Sequence, residues 1–203
     1  MPKIISSIPG YRVTEYLLVL QPHEALQARI QEVKRQFAQK YKAPLAVATR
    51  PHITLVNFLS YQITEERLVS RIGHIALGLA PFKVELKNFG SFPTHTIYIT
   101  VATKLPIKAV VDGLKCAQQL MTLNKDHKPH FIEEPHLIVC RKLKPWQYEG
   151  GWLEYSHRHF TGRFVADGML LLKRPVHETG YGIVKRFEFQ NMPVSTKQGN
   201  LFM

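Results

Sequence analysis

The sequence predicts an α+β fold with two related lobes, in which two antiparallel β-sheets line a central cleft and helices lie on the outside. Two observations lead to this prediction. Helical stripes and β-prone runs follow each other in the same order in both halves of the chain. In each half one strand opens with a Pro-His pair, first at Pro51-His52 and again 84 positions later at Pro135-His136. Such a repeat is typical of an internal duplication.

The elements of the first half are predicted in the following order. Tyr16–Leu20 is an apolar run that favours a buried strand, and Pro22–Tyr41 is predicted to be a helix. The apolar stripe of this helix contains Leu26, Ile30, Val33, Phe37 and Tyr41. The β-branched and aromatic residues of His52–Leu59 predict the next strand. Thr64 then begins a helix with an acidic first turn. Two strands follow, at Phe82–Phe89 and Thr96–Val101.

The second half repeats this order. The periodicity of residues 107–121 predicts a helix, and His136–Lys142 is predicted to be a strand. Pro145–His159 favours a helix more weakly, because two adjacent glycines at residues 150–151 interrupt it. The predicted closing strands are Phe160–Ala166, Met169–Lys173 and Gly182–Phe189.

The chain length also limits the domain organisation. The 203 residues are enough for one large domain with a substantial core. We therefore expect a single bilobal domain over residues 1–194, with lobes at about 15–103 and 104–190 and termini that can cross between them. Residues 195–203 are polar apart from the last three, which predicts a flexible tail.

The composition indicates the kind of partner. A net charge of +12 attracts anions, and phosphate-bearing ligands are the obvious candidates; a soluble protein with a lysine-rich surface is the alternative. The basic residues are spread along the chain, which favours a field around one site over a nucleic-acid-binding tail. The sequence contains neither a membrane-spanning apolar run nor a signal-peptide pattern, and its two cysteines are interpreted as free thiols. We therefore expect a cytoplasmic monomer without a membrane partner.

The two Pro-His strands carry the candidate chemistry. Strand alternation places His52 and Thr54 on one face of the first strand, and His136 lies similarly on the second. If the two histidines face each other across the cleft, one neutral imidazole can accept a proton while the other, protonated, donates one to a leaving oxygen. The Thr54 hydroxyl can donate to a phosphate oxygen that gains charge. This scheme needs no metal and no cofactor.

At these motifs the sequence resembles the two-histidine phosphoesterase superfamily, which includes bacterial 2′-5′ RNA ligase and the cyclic-nucleotide phosphodiesterases. That family carries two His-x-Thr/Ser motifs on facing sheets, and the resemblance covers residues from about 15 to 189. It implies that His52 and His136 are catalytic and that Thr54 binds the substrate. It also assigns substrate binding to Arg141, because family members often carry a basic residue five positions after the second histidine.

One residue departs from the family pattern. Ile138 stands where the second threonine or serine is expected. A hydrogen bond to a charged group contributes about 1.5–3 kcal/mol, so its loss is expected to lower the rate by about one to two orders of magnitude. Arg141 is a candidate to compensate, although strict alternation places it on the opposite face from His136 unless the strand bends.

The resemblance implies a metal-independent phosphodiesterase or 2′-5′ RNA ligase-like enzyme that acts on 2′,3′-cyclic phosphate or 2′-5′ linked ribonucleotides, with RNA or nucleotides as partners. The sequence leaves open which histidine is the base and whether hydrolysis or ligation is favoured. Two alternatives remain. One is a non-catalytic or slow RNA- or nucleotide-binding module, and the other is a phosphoesterase for a small cyclic-phosphate metabolite.

The sequence argues against two other kinds of site. Four potential metal ligands recur every three residues, namely His127, His130, Glu133 and His136. Pro129 and Pro135 oppose a continuous helix over them, which argues against a zinc site. The sequence has neither a Walker-type phosphate loop nor a Rossmann fingerprint, which argues against nucleoside triphosphate hydrolysis.

Overall fold

An antiparallel β-sheet with helices on one face forms the centre of the molecule. The structure is a computed structural model, and it describes residues 11–176 and 178–192. The strands are β1 (Val13–Leu20), β2 (Ile53–Tyr61), β3 (Phe82–Phe92), β4 (Thr96–Val101), β5 (His130–Phe131), β6 (His136–Arg141), β7 (Thr161–Ala166), β8 (Gly168–Pro175) and β9 (Gly182–Glu188). The helices are α1 (Glu24–Lys40), α2 (Glu65–Leu77), α3 (Leu105–Leu114), α4 (Gln118–Met121) and α5 (Pro145–Tyr155). Short 3₁₀ turns lie at Pro44–Val47, Gln62–Thr64 and Lys115–Ala117.

The predicted order of helices and strands is confirmed with shifts at the ends of elements, but the helix predicted over 107–121 is divided by a 3₁₀ turn into α3 and α4, and β5 was not predicted. Helix α1 begins at Glu24, where the His23 ring accepts a hydrogen bond from the backbone of the first turn. The buried stripe of this helix differs from the prediction at one position, because Lys34 is buried and Val33 is only partly buried. The predicted tail at residues 195–203 lies outside the described residues.

The sheet has the order β7-β3-β4-β6-β2-β1-β8-β9, and β5 adds to β2. All the pairings are antiparallel, and β2 meets β6 at a single residue pair, Ile53 with Leu137. The two sheets expected from the sequence are therefore two halves of one nine-stranded sheet, joined at one residue pair, with four strands in one half and, counting β5, five in the other. The half containing β1 and β2 also contains β8 and β9, while β3 and β4 lie with β6 and β7. Each half of the sheet thus combines strands from both expected lobes, residues 15–103 and 104–190.

The helices cover one face of this sheet. Helix α1 packs against β6 and β7, and α5 packs against β4, while α2 packs on β9 and α3 on β2. A single large apolar cluster fills the space between the helices and the sheet, and Ile53 and Leu137 at the junction are fully buried within it. A cleft lies on the opposite face of the sheet. In the part of the chain that the structure describes, no helix has the length and apolarity needed to cross a bilayer.

Helix α5 forms despite its two glycines, because one of them allows a close contact. A Cβ atom on Gly151 would lie 2.8 Å from the Phe37 ring of α1 and 3.1 Å from Ile97 of β4. A Cβ atom on Gly150 would meet only the Tyr41 ring, at 3.4 Å. The absence of a side chain at residue 151 thus lets α5 approach both α1 and the sheet.

This contact predicts opposite effects for two neighbouring substitutions. Gly151→Ala is expected to lower the free energy of unfolding by about 1–3 kcal/mol, because the added methyl overpacks the core. Gly150→Ala is the matched control, and it should leave stability unchanged or raise it by up to about 1 kcal/mol through helix propensity. Urea unfolding of both variants measures the difference. Equal effects at the two positions would contradict the packing argument.

Candidate active site

His52 and His136 are held in the same way at the junction of the two half-sheets. The Nδ1 atom of His52 lies 2.8 Å from the backbone oxygen of Arg50, and Nδ1 of His136 lies 2.8 Å from that of Glu134. Because a carbonyl oxygen can only accept, each Nδ1 carries the proton and donates it. In the neutral ring the lone pair is therefore on Nε2. Two imidazoles with matching orientation and tautomer result.

The register of β2 and β6 brings the two histidines close together. Antiparallel pairing of Ile53 with Leu137 places His52 opposite Ile138 and Thr54 opposite His136. These four side chains share the face opposite to the buried Ile53 and Leu137. The two histidines are then diagonal neighbours, for which Cβ atoms lie about 7 Å apart. The rings can therefore converge on one small group.

Two β-bulges at matching positions set which further side chains reach this face. Leu55 is the extra residue of β2 against β1, and Val139 is the extra residue of β6 against β4. Each bulge reverses the alternation that follows it. As a result Asn57 joins Thr54 on the cleft face, and Arg141 joins His136. The strand thus departs from strict alternation at Val139, and Arg141 lines the same cleft as His136.

These side chains line one cleft of about 200 Å³. Its lining includes the residues singled out from the sequence, which are His52, Thr54, His136, Ile138 and Arg141. Five further polar residues line it as well: Thr49, Arg50, Asn57, His130 and Tyr181. Asn57 lies 84 positions before Arg141, so the internal repeat could have identified it. His130 lies opposite Asn57 across the β2–β5 pair. The sequence indicates it only as a potential metal ligand, and not as a residue of this cleft.

The charges around the two histidines differ. Burial lowers the pKa of His52, and the cations Lys34 and Arg141 lower it further, against the hydrogen bond to Arg50. Burial also lowers the pKa of His136, but the backbone and the carboxylate of Glu134 act in the opposite direction. This difference favours a neutral His52 and a protonated His136.

A hydrogen-bonded cluster lies beside the cleft and contains two of its lining residues, Asn57 and Tyr181. The carboxylate of Glu15 accepts from Arg174, at 2.6 Å from Nη2, and from Asn57, at 3.2 Å from Nδ2. Burial raises the pKa of Glu15, but hydrogen bonds from Tyr181, Arg174 and Asn57 outweigh burial and hold it below its usual value. Arg174 also lies over the Tyr181 ring, 4.7 Å from its centroid. Arg174 therefore compensates the charge of Glu15, and the lining of the cleft, as far as the structure describes it, contains two arginines, Arg50 and Arg141, and no carboxylate.

The alternative metal site is not formed. Over residues 11–176 and 178–192, no three histidine, cysteine or carboxylate side chains come together in a way that could hold a metal ion. The residues of the predicted pattern separate because β5 pairs with the middle of β2, whereas β6 meets β2 near its start. His130 and His136 nevertheless line the same cleft.

Solved structures of other proteins have the same fold. TT0787 of Thermus thermophilus matches with a TM-score of 0.63 and 16% sequence identity, covering 87% of this chain and 98% of that chain. E. coli LigT complexed with 3′-AMP gives a TM-score of 0.60 and 15% identity, with coverages of 87% and 98%. E. coli LigT complexed with phosphate gives 0.54 and 14%, with coverages of 88% and 98%. At these identities the similarity establishes the fold alone.

Comparison at the sequence level identifies the family. No curated protein matches the sequence significantly. The family profile of the 2′-5′ RNA ligase superfamily, in contrast, matches residues 22–178. This range is more than half of the chain and includes both Pro-His strands. The predicted resemblance and the α+β fold are thereby confirmed: the protein belongs to the 2′-5′ RNA ligase superfamily, whose members are phosphoesterases and ligases.

Proposed function

We propose that the protein is a metal-independent phosphodiesterase that acts on 2′,3′-cyclic phosphates or 2′-5′ linked ribonucleotides. The observation that carries this proposal is the pair of equally anchored histidines, His52 and His136, on the cleft face of two adjoining strands. Both Nε2 atoms are available for proton transfer, as acid–base catalysis at one phosphorus atom requires. The complexes of E. coli LigT with 3′-AMP and with phosphate add support from a protein of the same fold.

The proposed hydrolysis needs one proton acceptor and one proton donor. The neutral imidazole removes a proton from water as the water oxygen bonds to phosphorus. The bond from phosphorus to one ribose oxygen breaks, and that oxygen takes the proton of the imidazolium. Thr54, opposite His136 in the strand register, donates its hydroxyl to a non-bridging oxygen. Arg141 and Arg50 supply positive charge at the same cleft. Ligation uses the same two groups with a ribose hydroxyl in place of water. The hydroxyl loses its proton to the neutral imidazole as its oxygen bonds to the phosphorus of a cyclic phosphate, and the ribose oxygen that leaves takes the proton of the imidazolium.

Ile138 favours one second candidate function. It occupies the position opposite His52, where a hydroxyl would complete the symmetry with Thr54. Its side chain offers no hydrogen bond to a phosphate oxygen, so the cleft can bind an anion better than it stabilises the transition state. A slow enzyme or an RNA- or nucleotide-binding module has this property. Turnover measurements separate it from an efficient phosphodiesterase.

The first prediction of the proposed function concerns the two histidines. In buffer with a chelator, the protein is expected to hydrolyse 2′,3′-cyclic nucleotides or a cyclic-phosphate-ended oligoribonucleotide. His52→Ala and His136→Ala should each lower kcat by about 10²–10⁴-fold, the range for loss of a general acid or base. His95→Ala is the matched control, because the Nδ1 of His95 also contacts a backbone oxygen two residues earlier, at 2.9 Å, but this exposed ring does not line the cleft. Binding without turnover, unchanged in both alanine variants, would contradict the proposed function.

The second prediction concerns pH. Catalysis needs one protonated and one neutral imidazole, so kcat/KM should follow a bell-shaped profile whose limbs report the two pKa values of the free protein. Burial lowers the pKa of both His52 and His136, so both limbs move to lower pH. We therefore expect the maximum below pH 6.5, the ordinary pKa of histidine. A maximum above neutral pH would show that the rings are not desolvated as described.

The third prediction concerns Ile138. Ile138→Thr is expected to raise kcat on cyclic phosphates by about tenfold or more, because it adds a donor worth about 1.5–3 kcal/mol to a charged oxygen. Ile138→Val is the matched control, since valine has nearly the shape of threonine without its hydroxyl. Steady-state kinetics of the three proteins measures the effect. If the two substitutions act alike, or if threonine lowers kcat, the cleft does not lack a donor at this point.

A further inference from the structure

Lys34 is a buried cation directly behind the candidate site. It lies on the core-facing side of α1, together with Leu26, Ile30 and Phe37, and only 1% of its surface is exposed. Its Nζ atom donates to the backbone oxygen of Thr49 at 2.6 Å and lies 3.4 Å from the Thr49 hydroxyl. Among the described residues no carboxylate forms an ion pair with it. A buried cation held only by neutral oxygens is costly, because the charge gives up its hydration without gaining an opposite charge.

The contacts of Lys34 lie next to both Pro-His strands. Thr49 precedes Arg50, whose backbone oxygen anchors the His52 ring, so the lysine holds the segment that places this histidine. On the other side α1 packs against β6, where Cys140 and Arg141 are the neighbouring titratable groups. Burial raises the pKa of the Cys140 thiol to about 11, so the thiol is neutral and does not compensate the charge of Lys34.

The packing alone does not require a lysine here. The three other buried residues of the stripe are apolar, and a methionine of similar length could fill the same space. Burial lowers the pKa of Lys34 to about 8, which shows that the site resists the charge. Since an apolar residue at such a position is often neutral or stabilising, the charge and its donor geometry point to a role outside the core.

We propose that Lys34 is a positioning residue of the candidate site, which anchors the 49–52 segment from behind the sheet and keeps a positive charge beside the His52 ring. This inference rests on the proposed function for its effect on catalysis but not for its effect on the ring. The groups that shift the pKa of His52 are Lys34 on α1, Arg141 on β6 and the backbone of Arg50 on its own segment. The other titratable side chains of the cleft are His136, its diagonal neighbour, together with His130 and Tyr181. The lysine therefore acts through the histidine and does not contact a substrate.

Two substitutions separate the charge from the hydrogen bond. Lys34→Met removes both, whereas Lys34→Gln removes the charge and keeps an amide that can donate to the Thr49 oxygen. Because a neighbouring cation disfavours the imidazolium, both variants should raise the pKa of His52. The ring protons of His52 and His136, followed by NMR as the pH changes, measure this. His136 is the internal control, because Lys34 is not among the charges that shift it. Lys108→Met, at an exposed position of α3, is the control for the loss of one positive charge.

Turnover of 2′,3′-cyclic nucleotides gives the second readout. Lys34→Met should lower kcat/KM by about tenfold through loss of a hydrogen bond from a charged donor, and Lys34→Gln should recover part of this loss. The pH profile of both variants should have the limb that belongs to His52 at higher pH. A His52 titration that is the same in all proteins would overturn the proposal, whatever the turnover. If the wild-type protein shows no turnover but the titration shifts as described, the role of Lys34 stands and the proposed function fails.

Discussion

The pairing of Ile53 with Leu137 is the one contact on which the cleft depends. It is the only residue pair between β2 and β6 in the described sheet, and it joins the half with β3, β4, β6 and β7 to the half that contains β2. Both side chains are fully buried among the helices, so the junction is held from behind by the apolar core. Since His52 and His136 each precede one of these two residues, the same pair fixes the distance between the rings. Divergence of the strands on either side of the pair leaves space for a ligand.

The electrostatics of the cleft follow from this geometry. Arg50 and Arg141 line the cleft, while Arg174 compensates the charge of Glu15 beside it. Burial lowers the pKa of both His52 and His136, and nearby cations lower that of His52 further. A bound phosphate reverses this effect, because its negative charge stabilises an imidazolium. Binding of an anion and protonation of one ring are therefore coupled, and under the proposed function a phosphate substrate would favour the imidazolium that donates a proton to it.

The sequence was informative where local rules decide the structure. A Pro-His pair followed by alternating apolar residues defines a strand start, its buried face and its exposed face, and this is how His52 and His136 were found. Arg141 was harder to place, because its face depends on the bulge at Val139, which forms against β4, far away in sequence. The exchange of strand pairs between the two halves likewise depends on long-range pairing. Lys34 was missed, since a lysine in an amphipathic helix is normally interpreted as exposed.

The two halves of the site differ in the side chains that surround each histidine. His136 has the Thr54 hydroxyl opposite it and an acidic residue, Glu134, before it in the chain, whereas His52 faces the apolar Ile138 and lies near the cations Lys34 and Arg141. An exact twofold arrangement would give both rings the same pKa. At any pH, some molecules would then have both rings protonated or both neutral, and these molecules lack either the base or the acid. Unequal surroundings favour one arrangement of the single proton over the other. Under the proposed function, the apolar Ile138 and the buried Lys34 thus belong to the same asymmetry, in which each histidine is suited to a different step of proton transfer.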